Sequence, residues 1–191
     1  MKRTAQKTIK QIALFGAIAA TFAAAIVMSQ WLSSSPQAVE VIERTGYLGL
    51  IILGIIGGLN VVIPIPPATF SALYSAAGLA TGGIILALAF GTLIADLIGF
   101  WFGTKARPFL EQKYPKIVAY AHQIATERTY LIIPFVTLYA AFVPFPNEAF
   151  LIPLAVAGIR FRYLLLPLIV GNILHQTILI LGIDTLTQLA F

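Results

Sequence analysis

Hydrophobic residues along this chain fall into long blocks separated by short polar segments, without the alternation typical of strands. The first block covers residues 12–31, and as a helix it would match the hydrocarbon core of a bilayer, which is about 30 Å thick. Residues 84–103 and 163–181 form two more uninterrupted blocks, each long enough for one crossing. The pattern therefore predicts an all-α membrane protein with an N-terminal transmembrane helix.

Two other apolar blocks, over 47–80 and 130–158, are interrupted in the middle. The interruptions contain Asn60, Pro64, Pro66 and Pro67 in the first block, and Pro144, Pro146 and Asn147 in the second. Proline lacks the amide proton and pushes the preceding residue out of the helical region, so neither block forms one continuous helix. Each arm of about fourteen residues reaches roughly 21 Å, which is short of the hydrocarbon core. We predict that each block is a re-entrant helical hairpin that turns near the midplane.

The hairpins and the helices that follow them are two copies of one unit. Residues 64–99 align with 144–179 at a constant offset of eighty, without a gap, and nine of the thirty-six positions are identical. The identical pairs are Pro64/Pro144, Pro66/Pro146, Phe70/Phe150, Ala77/Ala157, Gly78/Gly158, Leu86/Leu166, Leu88/Leu168, Gly91/Gly171 and Ile98/Ile178. A bias toward Leu and Ile does not produce the P-x-P and Ala-Gly matches. Broken helices at corresponding places in two halves point to a transport site near the bilayer midplane.

The repeat divides one compact domain into four segments. Residues 1–45 are an N-terminal transmembrane helix and a polar connection, 46–103 are the first repeat, 104–128 are a cytoplasmic interfacial segment, and 129–191 are the second repeat. Each repeat comprises a re-entrant hairpin and a transmembrane helix. A secretory signal peptide is the alternative for the basic N-terminus and the apolar run behind it, although that run exceeds the usual length of a signal sequence.

Composition agrees with a membrane protein. The chain is 59% hydrophobic and 10% charged, with a mean hydropathy of +0.93, well outside the range of soluble domains. It has no cysteine, which excludes a disulfide framework and a thiolate metal site, and its two histidines have no metal-ligand spacing. No nucleotide-binding loop or nucleophile motif occurs, so we predict neither enzyme activity nor a cofactor.

The net charge of +5 reflects basic residues that lie beside apolar blocks, where they set topology and contact anionic headgroups rather than nucleic acid. With a cytoplasmic N-terminus, all basic residues except Arg44 lie on the cytoplasmic side, which is 11 of 12. The two repeats are then inverted, and their hairpin tips meet from opposite leaflets. We expect a multi-pass protein of the inner or plasma membrane.

The return arms of the hairpins begin near residues 67–68 and 147–148. Their first amides lack helical partners and carry the positive end of the helix dipole, which favours an anion such as a phosphate or carboxylate. The predicted substrate-binding residues at the tips and in the cavity are Asn60, Pro64, Pro66, Thr69, Pro144, Pro146, Asn147, Asn172 and Gln176.

Three ionisable residues interrupt this apolar background. Asp96 and His175 lie in the middle of crossing helices, and Glu148 begins the second return arm. Ionisable groups at membrane depth mark transport pathways by default. Since burial raises the pKa of a carboxylate and lowers that of a histidine, we predict that these three side chains exchange protons. The simpler alternatives are a helix-start role for Glu148 and a hydrogen-bonded core histidine at position 175.

The chain resembles the DedA superfamily, whose shared region is called the SNARE-associated or VTT domain. The resemblance covers about residues 45–182 and consists of a P-x-P hairpin followed by AAGLATGG, a helix with Asp96, Phe100 and Gly103, then VPFP and AVAGIRFRYLLLPLIVGNILHQ. It implies two facing re-entrant hairpins. It also implies a group whose members flip or scramble phospholipids or recycle a polyprenyl phosphate carrier, some of them dependent on proton-motive force.

This sequence departs from the family pattern at three places. Thr69 follows the first prolines where the family carries an acidic residue, and His175 stands where it carries tryptophan. The second hairpin has Glu148 and lacks the family arginines, which removes the side chains best suited to bind a phosphate bidentately. We interpret the chain as a divergent member in which an anion would be held by backbone amides and helix ends.

The sequence thus favours a transporter that moves a lipid with an anionic headgroup between leaflets, coupled to protons. Two alternatives stay open: transport of a small cation or drug, and a scaffold without transport whose segment 104–128 docks a protein or anionic lipid. Small residues in the first helix, including Gly16 and Ala23, would suit a homodimer.

Overall fold

The computed structural model describes residues 16, 20, 23–59, 66–143 and 145–190, and the regular elements in this part of the chain are all helices. The all-α prediction is confirmed for these residues. The elements are α1 (Ala23–Ser33), α2 (Pro36–Gly58), a 3-10 turn (Pro67–Phe70), α3 (Ser71–Ala76), α4 (Thr81–Lys113), α5 (Pro115–Glu127), α6 (Thr129–Phe142), α7 (Glu148–Val156) and α8 (Arg162–Ala190). The first part of the predicted N-terminal transmembrane helix, over residues 12–22, lies outside the described part except for residues 16 and 20, and so do the basic residues that precede it.

Helix α2 begins well before its apolar part. Pro36 occupies the first helical turn, where its fixed φ suits the helix and its missing N–H costs nothing. Residues 36–45, predicted as a polar connection, are therefore helical, and an Arg44–Glu40 ion pair of 2.6 Å one turn apart supports them. Gly46 then interrupts the helix with φ 52° and ψ −144°. The apolar residues 47–58 form a separate helical segment that follows Gly46.

Helix α4 continues to Lys113, beyond the predicted end of the crossing helix at residue 103. The added residues include good helix formers such as Lys105 and Glu111, and Pro108 lies inside the helix without ending it. The helix ends before Pro115, which displaces Tyr114 to φ −136° and ψ 55°. The predicted interfacial segment is thus the last part of α4 followed by α5.

The two short helices α3 and α7 end in the same way. Gly78 and Gly158 adopt left-handed φ values of 74° and 86°. The amide after each glycine bonds a carbonyl five residues earlier, over 3.2 Å at Leu79 and 3.1 Å at Ile159. These bonds are the Schellman cap, which needs a residue that tolerates positive φ. The glycine of each aligned Ala-Gly pair is therefore explained by the local geometry that ends its helix.

The buried apolar residues form two clusters, one mainly from residues 50–88 and one mainly from residues 100–168. Each of the two long helices, α4 and α8, contributes residues to both clusters. The first cluster comprises Leu50, Ala68, Tyr74, Ile84, Ala87, Leu88 and Ile180. The second comprises Phe100, Ala125, Val136, Ala140, Phe150, Leu151, Ala155, Ala157, Ile159, Leu164 and Leu168. Ile180 of α8 thus packs among residues 50–88, and Phe100 of α4 packs among residues 125–168. The two long helices also contact each other directly.

Glycines allow the helices to approach closely. A Cβ added at Gly91 of α4 would collide with the Ile51 carbonyl oxygen and with the Gly54 backbone of α2. At Gly171 of α8, a Cβ would meet the Cβ of Ala140 in α6. Small residues at helix crossings are typical of helices packed in membranes. Among the described residues, two helices, Thr81–Lys113 and Arg162–Thr185, are long and apolar enough to cross a membrane.

Candidate functional site

A buried hydrogen bond between two side chains joins the long helices α4 and α8 where they contact each other. Asp96 of α4 is only 1% exposed. Its Oδ2 accepts a hydrogen bond of 2.8 Å from the side-chain amide of Asn172 in α8. A hydrogen bond from a neutral amide stabilises the carboxylate without neutralising it.

The same asparagine reaches the beginning of α7. The side-chain amide of Asn147 donates a 3.2 Å hydrogen bond to the side-chain oxygen of Asn172. The Asn172 side chain therefore accepts a hydrogen bond from Asn147 and donates one to Asp96. Asn147 precedes the first residue of α7. These bonds therefore hold the start of the short helix against the contact between α4 and α8.

Glu148 is buried beside these residues, and no other described residue donates a hydrogen bond to its carboxylate. It is 6% exposed, and neither of its carboxylate oxygens accepts a hydrogen bond from another described residue. Its side chain packs on Gly99, one turn after Asp96 on α4, where an added Cβ would lie 2.5 Å from the Glu148 Cγ. Glu148 therefore contacts α4 within about one helical turn of Asp96. We call Asp96, Asn147, Glu148 and Asn172 the polar cluster.

The polar cluster contains two carboxylates, and neither described salt bridge involves them. Burial of an uncompensated charge costs several kcal/mol even after relaxation. Binding a proton or a cation removes that cost, and a protonated carboxyl gains a donor that can bind an anion. The described residues contain no group of three or more metal-ligating side chains. The chemistry that these residues support is reversible binding of protons and of small polar groups.

The structure brings together four of the predicted site residues and leaves others apart. Gln176 is buried one turn beyond Asn172, and its Oε1 has no hydrogen-bond partner among the described residues. His175 lies near the end of α6, where its Nδ1 is 3.2 Å from the Ala141 carbonyl oxygen. That carbonyl is one of the last in its helix and lacks a helical partner, so the histidine satisfies a helix end. Asn60, Pro64 and Pro144 lie outside the described residues.

The described residues at the predicted tips stabilise the turns. The Pro66 carbonyl accepts hydrogen bonds from the Thr69 amide at 3.0 Å and the Thr69 hydroxyl at 2.8 Å. The Pro146 carbonyl accepts one from the Ala149 amide at 3.1 Å. The buried Thr69 hydroxyl therefore has a local partner in the first turn of its own helix.

Sequence reasoning missed a second polar contact between the halves. The Ser71 hydroxyl at the start of α3 donates a 3.2 Å hydrogen bond to Asp184 Oδ1 in α8. Asp184 lies beyond residue 181, the predicted end of the crossing helix. A carboxylate inside the apolar stretch LILGIDTL was the available signal.

An apolar groove lies beside the polar cluster, between α4 and α8. Its volume is about 340 Å³, and it is lined by Leu86, Ala89, Phe90, Leu93, Ile169 and Ile173. Leu93 precedes Asp96 by one helical turn, and Ile173 follows Asn172 directly. The groove therefore ends within about one helical turn of the polar cluster.

Comparison of the chain with protein-family models, with curated proteins and with solved structures gives no match in any of the three. The resemblance to the DedA superfamily therefore stays a prediction from the sequence motifs.

Proposed function

We propose that this chain is a membrane transporter that moves a lipid with an anionic headgroup between leaflets, with Asp96 and Glu148 exchanging protons during the cycle. The observation that carries the proposal is the buried Glu148 carboxyl, which has no partner from another described residue and lies beside the Asp96–Asn172 pair. A structural carboxylate would be expected to have its hydrogen bonds satisfied. An unsatisfied one is available to a proton and to a substrate.

The outer surface supports a membrane environment. Helix α8 exposes an apolar residue every four positions, at Leu166, Val170, Leu174 and Ile178. Helix α2 does the same at Leu48, Ile52 and Ile56. In water, stripes of this length would be uncovered apolar patches of the kind that mark interaction surfaces. Lipid tails are the partner that fits stripes on several helices at once.

We propose further that the chain is an inverted repeat of two re-entrant hairpins. The apolar segment 47–58 is about 18 Å long and the 14-residue α6 about 21 Å, so each is too short to cross the hydrocarbon core. The matching caps at Gly78 and Gly158 support the repeat. So does the reciprocal packing of α4 and α8, since each contributes to the core of the other half.

The topology gives a prediction that needs no transport assay. With the N-terminus cytoplasmic, a Glu40→Cys protein should react with an impermeant thiol reagent only from outside the cell, and Lys116→Cys only from inside. Both positions are exposed, and the chain has no cysteine of its own. Labelling would be measured on intact cells and on inverted vesicles, with the unsubstituted protein as the control. Reaction of both positions from the same side would contradict the inverted repeat.

In the proposed mechanism, the lipid tail occupies the apolar groove and the headgroup reaches the polar cluster. Protonated Asp96 and Glu148 donate hydrogen bonds to the headgroup oxygens, beside the positive end of α7. Loss of the protons creates negative charge that repels the headgroup and releases it. Proton binding and anion binding are thus linked and reinforce each other.

A second candidate is transport of a small cation or a cationic amphiphile. The specific observation that favours it is the composition of the polar cluster, which consists of carboxylates and amides without a basic side chain. A cation would bind the deprotonated carboxylates and compete with protons. The two candidates therefore predict opposite effects of pH.

The experiment is leaflet exchange of fluorescent lipids by the purified protein in liposomes at several pH values. We expect exchange of an anionic phosphatidylglycerol to increase as the pH falls, because protonation creates the anion site. A phosphatidylcholine with the same label and tails is the matched control for headgroup charge. Saturable cation uptake that weakens on acidification would favour the second candidate, and the absence of both activities would contradict transport.

A further inference from the structure

A basic cavity lies away from the polar cluster, where α5 faces the loop between α7 and α8. Its volume is about 280 Å³, and its lining includes His122, Thr126, Thr129, Ile159, Arg160 and Tyr163. We propose that this cavity binds a phosphate group, carried either by a lipid headgroup or by free phosphate. The proposal does not rest on the transport function, because no residue of the polar cluster lines the cavity.

Arginine side chains lie in and around the cavity. Arg160 is an exposed lining residue at the loop, and Arg162 begins α8 two residues later. Arg107 of α4 packs on Gly158, and its one described ion-pair contact is a loose 3.8 Å approach to Glu111. Arg160 thus lines the cavity and Arg107 lies against Gly158 in its wall, while Glu127 of α5 follows the lining residue Thr126. Guanidinium groups bind phosphate strongly because their fork of donors matches its oxygens.

Gly158 allows these groups to converge. A Cβ at this position would collide with the Arg107 guanidinium and would lie 3.1 Å from the His122 Nδ1. The glycine also needs its left-handed φ of 86° for the end of α7. Because it has no side chain, Arg107 and His122 meet at the cavity wall.

Two polar side chains at the cavity are oriented by their partners. The His122 Nδ1 is 2.7 Å from the Ala157 carbonyl oxygen, which can only accept, so Nδ1 donates its proton to that carbonyl and the orientation of the ring is fixed. The Tyr163 hydroxyl accepts a 2.8 Å hydrogen bond from Arg162 and retains its own proton for another partner. The cavity also lies at the start of α8, a helix of 29 residues, whose positive end attracts anions.

The neighbouring surface indicates how a lipid would reach the cavity. Helix α5 exposes Ile117, Tyr120 and Ile124, which lie on one face at helical spacing. An amphipathic helix of this kind lies in the plane of the membrane surface. The apolar face would contact lipid tails while the basic cavity beside it holds a headgroup phosphate.

The test is calorimetric titration of the full chain in a nonionic detergent with two probes, inorganic phosphate and the water-soluble dihexanoyl phosphatidic acid. We expect saturable binding that Arg160→Gln weakens about tenfold, the effect of losing one charge-assisted hydrogen bond. Arg44→Gln is the matched control, since it removes the same charge from an exposed arginine on α2. It should bind like the unsubstituted protein.

The outcomes separate the two sources. Binding of both probes with the same dependence on Arg160 supports a site for the phosphate group itself, and binding of phosphatidic acid alone supports a lipid headgroup site. Equal affinities of the Arg160→Gln and Arg44→Gln proteins, or no saturable binding of either probe, would overturn the proposal. Thermal unfolding of each variant shows that the fold is retained, as expected for an exposed side chain.

Discussion

Replacing Glu148 with methionine should reduce leaflet exchange to the level of protein-free liposomes and at the same time raise the stability of the protein. Both carboxylate oxygens are buried without a donor from another described residue, and burial of such a group costs about 1–3 kcal/mol in desolvation. Methionine fills a similar volume with apolar atoms and removes that cost. Residues that lower stability are expected where function requires them.

The measurement combines the exchange assay with thermal unfolding in detergent. Glu43→Met is the matched control, because this glutamate is exposed on α2 and should affect neither property. Asp96→Asn should also abolish exchange, since it keeps the shape of the side chain but cannot release a proton. A Glu148→Met protein that exchanges lipids at the original rate would disprove proton exchange at this residue. A less stable one would show that the carboxyl has a structural role.

Replacing Gly91 with alanine should destabilise the protein by about 1–3 kcal/mol, the usual cost of overpacking a tight contact. The new Cβ would collide with the Ile51 carbonyl oxygen and the Gly54 backbone, which are main-chain atoms that cannot move aside as a side chain would. The contact between α2 and α4 would have to open. Thermal unfolding and resistance to detergent would both report the loss.

Gly182→Ala is the matched control for this prediction and should have the opposite sign. Gly182 also lies in a long apolar helix, but nothing comes within 4 Å of the position of its Cβ. Alanine there should stabilise the helix by about 0.5–1 kcal/mol through the lower backbone entropy of the unfolded chain. If both variants shift stability in the same direction, the glycine contact is not what holds the two helices together.

The sequence predicted the interruptions of the helices better than their ends. Prolines act locally on their own φ and on the preceding residue, so the starts of the 3-10 turn at Pro67 and of α7 at Glu148 could be anticipated. The end of α4 at Lys113 could not, because polar residues with high helix propensity continue the helix after its apolar part ends. Hydropathy reports the environment that surrounds a helix, whereas backbone hydrogen bonding determines the residue at which the helix ends.

It was harder to predict which site residues contact each other than to predict which residues belong to the site. Asp96 and Asn172 were both predicted site residues, but nothing in the sequence indicated that they form a hydrogen bond with each other. The rotation of one helix against another depends on the packed side chains of both and is not encoded in the period of either. The contact between Gly99 and Glu148 was not predicted for the same reason. The sequence of α4 alone does not show which side chain packs against a glycine inside the helix.

The reciprocal packing of α4 and α8 has a consequence for biogenesis. The cluster around Leu50 and Tyr74 lies in the first half of the chain but includes Ile180, so it is complete only after nearly all of the protein has been synthesised. Until α8 has been synthesised, the earlier helices therefore lack the packing that Ile180 supplies. We expect a chain truncated before α8 to leave this cluster incomplete and to be less stable than the full chain.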